Sequence, residues 1–281
     1  MMSAARRTTA SHDANRPHVI EGGAPLVISL PHVATAIPVD QQHRYTPRAL
    51  EVEDTDWHLD RLYGFAQAMG ATLLVPRWSR YLIDLNRPPQ DTPMYPGQNN
   101  TELCPTRHFT GEAIYRDGLA PDATEIERRV ASYWQPYHDK LRAVLDARRS
   151  THGFVVLLDA HSILSEVPWL FDGILPNFSL GTASGSSCAP ALRDALHDTL
   201  SRFPQFSQVV DGRFKGGYIT RHYGRPAEGV HAVQLEMACR TYMLEAAPFA
   251  WSEVLAAQAR PALEAFVHTL RHFRPEMPST P

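Results

Sequence analysis

Five apolar residues in a row, Phe154, Val155, Val156, Leu157 and Leu158, end abruptly in Asp159, Ala160, His161 and Ser162. A short run without polar alternation fits a strand covered on both faces, as in the middle of an α/β sheet. Ligands of such sheets sit in the crevice beyond the carboxyl ends of the strands. The acid, the imidazole and the hydroxyl therefore fall where a site is expected. Asp159 and His161 are two residues apart, so an extended backbone sends both side chains to one side.

The same pattern divides the rest of the chain. Residues 25–30, bounded by Gly22, Gly23 and Pro31, predict a first core strand that hands His32 to a loop, and Pro31 stops it from continuing as a central ladder member. Residues 71–76 predict a second strand and residues 171–175 another, and residues 230–237 form an apolar strand that carries Glu236. Leu59, Leu62, Tyr63 and Ala66 have the spacing of an amphipathic helix, capped by Thr55 or Asp56. The clearest helix covers residues 121–149, where Ile126, Val130, Trp134, Tyr137, Leu141, Val144 and Leu145 trace one stripe behind Pro121 and Asp122. Its arginines and acids read as a solvated face. Further helices are expected at about 189–202 and 250–273. Residues 90–118, marked by proline, glycine and asparagine, form a long loop of the kind that walls or covers a site. Alternating strands and helices predict one three-layer α/β domain over residues 21–281, with a central mixed, mostly parallel sheet. Residues 1–20 read as a flexible leader.

Composition narrows the function. With 43% apolar residues the chain can build a substantial core, and a net charge of −3 gives no reason to expect nucleic acid or an anionic membrane surface as partner. A small molecule is the expected partner. Cys104, Cys188 and Cys239 are too sparse for a disulfide framework, which points to a reducing, cytoplasmic setting, and no apolar run is long enough to span a membrane. The oligomeric state is not legible. G-x-S-x-G and G-x-x-x-x-G-K are absent, which removes weight from serine-nucleophile and P-loop chemistry. The small-residue stretch 181–188 can offer backbone N–H groups to an anion or cap the following helix.

Fourteen histidines hint at metal chemistry, and His32 and His161 both stand at strand ends. Glu51, Glu53, Asp54 and Asp56 are more acids than one helix cap requires, so one of them can complete a metal site. Arg80, Asp84, Asn86 and Arg87 form a dense polar set: either two guanidiniums poised for a carboxylate, or a surface pair with a structural Asp84. Glu236, in an apolar strand, is either paired or catalytic, because burying a lone carboxylate is costly.

Six motifs in order complete the reading: Ser29-Leu30-Pro31-His32; Asp54-Thr55-Asp56-Trp57; Ser79-Arg80-Tyr81-Leu82-Ile83-Asp84-Leu85-Asn86-Arg87; Asp159-Ala160-His161-Ser162; Gly216-Gly217-Tyr218-Ile219-Thr220-Arg221-His222-Tyr223-Gly224; and Gln234-Leu235-Glu236-Met237. Together they resemble the N-formylglutamate amidohydrolase family, part of the zinc carboxypeptidase-like and aspartoacylase-like hydrolases. The resemblance implies a phosphorylase/hydrolase-like fold and one catalytic zinc held by His32, His161 and an acid, Asp56 in preference to Asp54. The wider superfamily keeps a glutamate three residues after its first histidine, where this chain has Thr35. It further implies Glu236 as the catalytic base, Arg80 at the oxyanion, and Asn86 with Arg87 at a substrate carboxylate. Arg221 is the expected second cation, by position. The implied reaction is hydrolysis of N-formyl-L-glutamate, a dianion, at the end of a histidine degradation route. Two alternatives stand beside it: the same chemistry on another N-acyl amino acid or a C-terminal peptide residue, and a non-catalytic amino-acid-binding protein on the same fold.

Overall fold

The structure is a computed structural model and describes residues 15–94, 96–97 and 99–275. The apolar run at residue 154 becomes the central strand, and the strand outlasts the run. This strand, β4 (Val155–Ile163), carries Asp159, His161 and Ser162 within it, and all its residues are buried. Around it, β1 (His18–Ile20), β2 (Leu26–Ser29), β3 (Thr72–Val75), β5 (Phe178–Gly181), β6 (Gln208–Val210) and β7 (Val230–Ala238) complete one sheet in the order β1-β3-β2-β4-β7-β5-β6. β3, β2, β4 and β7 run parallel, β1 and β5 pair antiparallel with β3 and β7, and β6 is parallel to β5. The sheet is thus mixed and mostly parallel. Strand order reverses between β2 and β4, the crevice where α/β sheets bind ligands.

The helices are α1 (Val39–Gln42), α2 (Leu59–Leu62), α3 (Ala123–Arg129), α4 (Gln135–His152), α5 (Pro190–Ser201), α6 (Tyr218–Tyr223) and α7 (Glu253–His272). The two-residue period of a strand sorts them onto two faces. Val156, Leu158, Val233 and Leu235 pack with Leu59 and Leu62 of α2, Leu192 and Leu196 of α5, and Leu263 and Phe266 of α7. Val155, Leu157, Val230 and Ala232 face the other way, onto Tyr137, Leu141 and Val144 of α4 and Ile219 of α6. Each fully buried aliphatic side chain contributes about 2 kcal/mol of burial. The alternation also fixes the site: Asp159, His161, Gln234 and Glu236 share the phase of the second set and emerge on the α4 and α6 face. Register places His161 beside Glu236 and Asp159 beside Gln234.

Several expectations are corrected. The sheet begins inside the expected leader, because His18–Ile20 covers the edge of β3; residues 1–14 of that leader lie outside the described residues. No strand forms at 171–175, where Ile174 is 65% exposed, and Phe178–Gly181 joins the sheet instead. The expected helix after residue 55 is reduced to α2 between two 3-10 turns. Positive φ at Val52 and His58 turns the chain on both sides of Asp56, and neither Thr55 nor Asp56 caps it. The long helix starts at the Asp122 cap as expected, but a π turn at Val130–Trp134 separates α3 from α4. Its arginines are not all solvated: Arg129 is fully buried, bonded to Glu125, Tyr115, Gln41 and the Leu82 carbonyl. In the 181–188 stretch, the N–H groups of Thr182 and Ser184 are taken by Asp211.

Candidate active site

Where β2 ends, Leu30 and Pro31 carry the chain into the turn that presents His32. The His32 carbonyl accepts the Asp56 N–H at 3.1 Å, so backbone alone brings the first histidine and the acid turn together. Asp56 Oδ2 then accepts the Ser162 N–H at 3.2 Å, lies 3.0 Å from His161 Nδ1, and is 3.8 Å from His32 Nδ1. The two imidazoles stand 4.8 Å apart between ring centroids. One ligand atom from each of His32, Asp56 and His161 lies within 4.8 Å of the others, all three residues being buried.

Each histidine turns its other nitrogen to a carboxylate. His32 Nε2 is 2.7 Å from Asp84 Oδ1, and His161 Nε2 is 3.1 Å from Asp159 Oδ1. Carboxylates behind metal-binding imidazoles fix the tautomer and the ring orientation in this way. His32 Nδ1 and Asp56 Oδ1 are buried and have no hydrogen-bond partner. Buried polar atoms are almost always partnered, so two orphans at one centre fit a cation there. Burial, with Arg80 nearby, lowers the pKa of His32 and keeps it neutral, as a metal ligand must be. Burial alone would lower His161 as well, but Asp159 and Asp56 outweigh it and raise its pKa well above the usual value. The site draws in positive charge.

Arg80 Nη2 bonds Asp84 Oδ2 at 2.8 Å, its Nη1 is 3.8 Å from Asp56 Oδ1, and its guanidinium lies 5.0 Å from the centre of the Phe109 ring. Glu236 accepts from Gln234 Nε2 at 3.2 Å, and Gln234 Oε1 in turn holds the Gly217 N–H at 2.7 Å. Burial, reinforced by Asp56 and Asp159 against His161 and Arg80, pushes Glu236 up to about 8. These groups open onto one cleft.

Of the residues singled out from sequence, His32, Asp56, His161, Arg80, Asn86, Arg87 and Glu236 all line this cleft. Asn86 is engaged differently from expectation. Its Nδ2 donates to Asp159 Oδ2 at 3.1 Å and lies 2.9 Å from His161 Nε2, while its Oδ1 accepts the Ile219 N–H at the start of α6. The close fit needs Gly217, where a Cβ would come within 2.2 Å of Asn86 Nδ2. Arg221 is corrected: it is exposed on the outer side of α6, donates to the Gly216 carbonyl and does not line the cleft. Arg213 does, as does Gln234. Sequence reading missed Arg213 because it precedes the glycine-marked motif instead of lying in it.

Asp54 belongs to a different network. Its Oδ2 accepts the Tyr81 hydroxyl at 2.8 Å and the Phe109 N–H at 3.0 Å, and the Tyr81 oxygen is 2.9 Å from His108 Nδ1. Asp54 therefore fixes the loop that carries Phe109 to the cleft. Asp54→Ala is expected to cost about 2–3 kcal/mol, from two buried donors left without their acceptor, and to keep full metal content. Denaturant midpoints and metal analysis of Asp54→Ala beside Asp56→Ala check this; metal lost in the former and kept in the latter would reverse the assignment.

Two buried imidazoles, a shared carboxylate and a raised glutamate, set in the crevice of an α/β sheet, are the equipment of a hydrolase. Within that class, the sequence model of a family described as N-formylglutamate amidohydrolase matches residues 24–243, and the chain belongs to this family. The N-formylglutamate deformylases of Pseudomonas putida and Pseudomonas aeruginosa are 44% and 46% identical to it over 250 and 249 residues, 89% of this chain and 93% of each relative. The crystal structure of N-formylglutamate amidohydrolase from Ralstonia eutropha JMP134 is similar with a TM-score of 0.71 at 25% identity, over 92% of this chain and 96% of that one. A gene product of Agrobacterium tumefaciens has the same fold, with a TM-score of 0.65 at 18% identity over 92% of this chain and 93% of that one. No helix among the described residues is long and apolar enough to cross a membrane.

Proposed function

We propose that the chain hydrolyses N-formyl-L-glutamate to formate and L-glutamate, with one zinc ion held by His32, Asp56 and His161. The substrate comes from the family and from the relatives named for it. The observation that carries the metal is the pair of orphaned buried atoms, His32 Nδ1 and Asp56 Oδ1. Two imidazoles and one carboxylate, with a position left open, suit a catalytic zinc. Such an ion lowers the pKa of a bound water and polarises the carbonyl under attack.

The chain's own residues supply the rest. Glu236 takes the proton of the attacking water and delivers it to the amine nitrogen as the C–N bond breaks, so that formate and a free amino group leave. Arg80, held by Asp84 at the cleft wall, meets the negative charge that develops on the formyl oxygen. Asp84 and Asp159 hold the two histidine rings, and Asn86 braces Asp159 and His161. Arg87, fixed by the Thr101 carbonyl and hydroxyl and by the Asn86 carbonyl, receives the α-carboxylate. By the same resemblance, the reaction closes a route of histidine degradation, and the three sparse cysteines fit a reducing, cytoplasmic setting for it.

Purified protein is expected to release formate from N-formyl-L-glutamate, to lose roughly 99% or more of that activity to a chelator, and to regain it with zinc. N-acetyl-L-aspartate in parallel is expected to react at least about tenfold more slowly. If zinc-loaded protein turns over neither amide, the proposal is wrong.

A further inference from the structure

We propose that Arg213 reads the side-chain carboxylate of the substrate and so sets the preference for a dianion. The inference rests on the N-formylglutamate reading above and deepens it. A substrate with two carboxylates must bring each to a donor, since a charge taken out of water without one is strongly penalised. Three guanidiniums line the cleft among the described residues: Arg80, Arg87 and Arg213. Arg80 is held by Asp84 and faces Asp56, beside the reacting centre. That leaves Arg87 and Arg213 for the two carboxylates.

Their placement fits a short dianion. Arg87 grips Thr101 through its carbonyl and hydroxyl, and Arg213 Nη2 donates to the Asn99 carbonyl at 3.2 Å. The gripped residues are two apart, so both guanidiniums are anchored on one short stretch of chain at the cleft wall. Arg213 also donates from Nε to the Leu170 carbonyl at 2.8 Å, which orients the guanidinium. Phe214 and Leu170 line the cleft beside it, and a half-buried guanidinium against apolar walls binds a carboxylate more strongly than one in open water.

The base beneath Arg213 is rigid. The Lys215 carbonyl accepts the Ala183 N–H, and a Cβ at Gly181 would meet the Phe214 carbonyl and the Lys215–Gly216 peptide at 2.7–2.9 Å. Residues 214–216 therefore lie directly on the end of β5, and Arg213 projects from a fixed backbone.

The test compares N-formyl-L-glutamate with N-formyl-L-glutamine, whose side-chain amide replaces the carboxylate, on zinc-loaded enzymes. Wild type is expected to prefer the glutamate by about a hundredfold or more in kcat/KM. Arg213→Met is expected to bring that ratio close to one, mainly through KM for the glutamate, with Arg213→Gln made alongside in case the first variant does not fold. Arg87→Met is expected to lower kcat/KM for both substrates and keep the ratio, and Arg221→Met to keep it too. A ratio preserved in the Arg213 variants, an equal loss on both substrates, or a collapse in Arg221→Met would overturn the assignment. Turnover of neither amide by wild type would overturn the N-formylglutamate reading itself, and Arg213 with it.

Discussion

Glu236→Gln is expected to lower kcat for N-formyl-L-glutamate about a thousandfold, with KM and zinc content close to wild type. The substitution keeps the shape of the side chain and its contact with Gln234, but removes the only function a base needs. It is also expected to stabilise the protein once zinc has been removed. Burial first, with Asp56 and Asp159 adding to it, holds Glu236 protonated up to about pH 8, whereas an unfolded chain releases that proton near the ordinary carboxylate value of 4.5. Between those limits the unfolded state binds fewer protons, so stability falls as pH rises. The penalty is absent below about pH 4.5, grows through neutrality and is complete above about pH 8; near pH 7 it is on the order of 3 kcal/mol. A neutral glutamine side chain carries no such penalty. Denaturant unfolding of both stripped proteins at pH 5 and pH 7.5 reads the difference, which is expected to be small at the first pH and in favour of the variant at the second. A variant that turns over normally would remove Glu236 from the role of base, and equal stability at both pH values would show that its burial carries no such penalty.

The burial behind this expected gain also made Glu236 conspicuous in the sequence. An acid inside Val-His-Ala-Val-Gln-Leu-Glu-Met has no packing reason to be there, and strand register then puts it beside His161. The parallel core was legible for a related reason, since strands covered on both faces carry unbroken apolar runs. What the sequence hid depended on tertiary partners. The acid turn at Asp56 looked like a helix start because Leu59, Leu62 and Tyr63 keep helical spacing, and nothing local announces that His32 and Ser162 hold its backbone and carboxylate. Arg129 looked solvated because three of its four partners come from the distant residues 41, 82 and 115. Strand 171–175 failed because short apolar stretches do not say whether a sheet edge is within reach. Arg221 drew attention from inside a motif, yet six residues of helix turn it outward, while Arg213 reaches the cleft from plain loop.

His161→Ala is expected to abolish activity and to remove the zinc site proposed above. Three buried carboxylates, Asp56, Asp84 and Asp159, with Glu236 beside them, surround the two imidazoles, and the guanidinium that faces them at close range is Arg80, held by Asp84. Asp84 is held well below the usual carboxylate range because His32 and Arg80 outweigh the burial that would raise it, and Asp56 is lowered by His161 in the same manner. The site is therefore short of positive charge, and His161 answers by taking a proton. A dication bound by His32, Asp56 and His161 would supply that charge without the proton, and zinc would stabilise the fold through preferential binding, by about 4 kcal/mol at a thousandfold excess over Kd. Wild type is accordingly expected to show a zinc-dependent rise in Tm, which His161→Ala lacks. The variant is also expected to be less stable by about 3–5 kcal/mol even without metal, because Asp56 and Asp159 lose the imidazolium between them. That second loss is the reason to read metal content and the zinc-dependent part of Tm, not activity alone. A His161→Ala protein that still binds one zinc tightly and shows the wild-type rise would place the metal elsewhere, and with it the centre of the proposed chemistry.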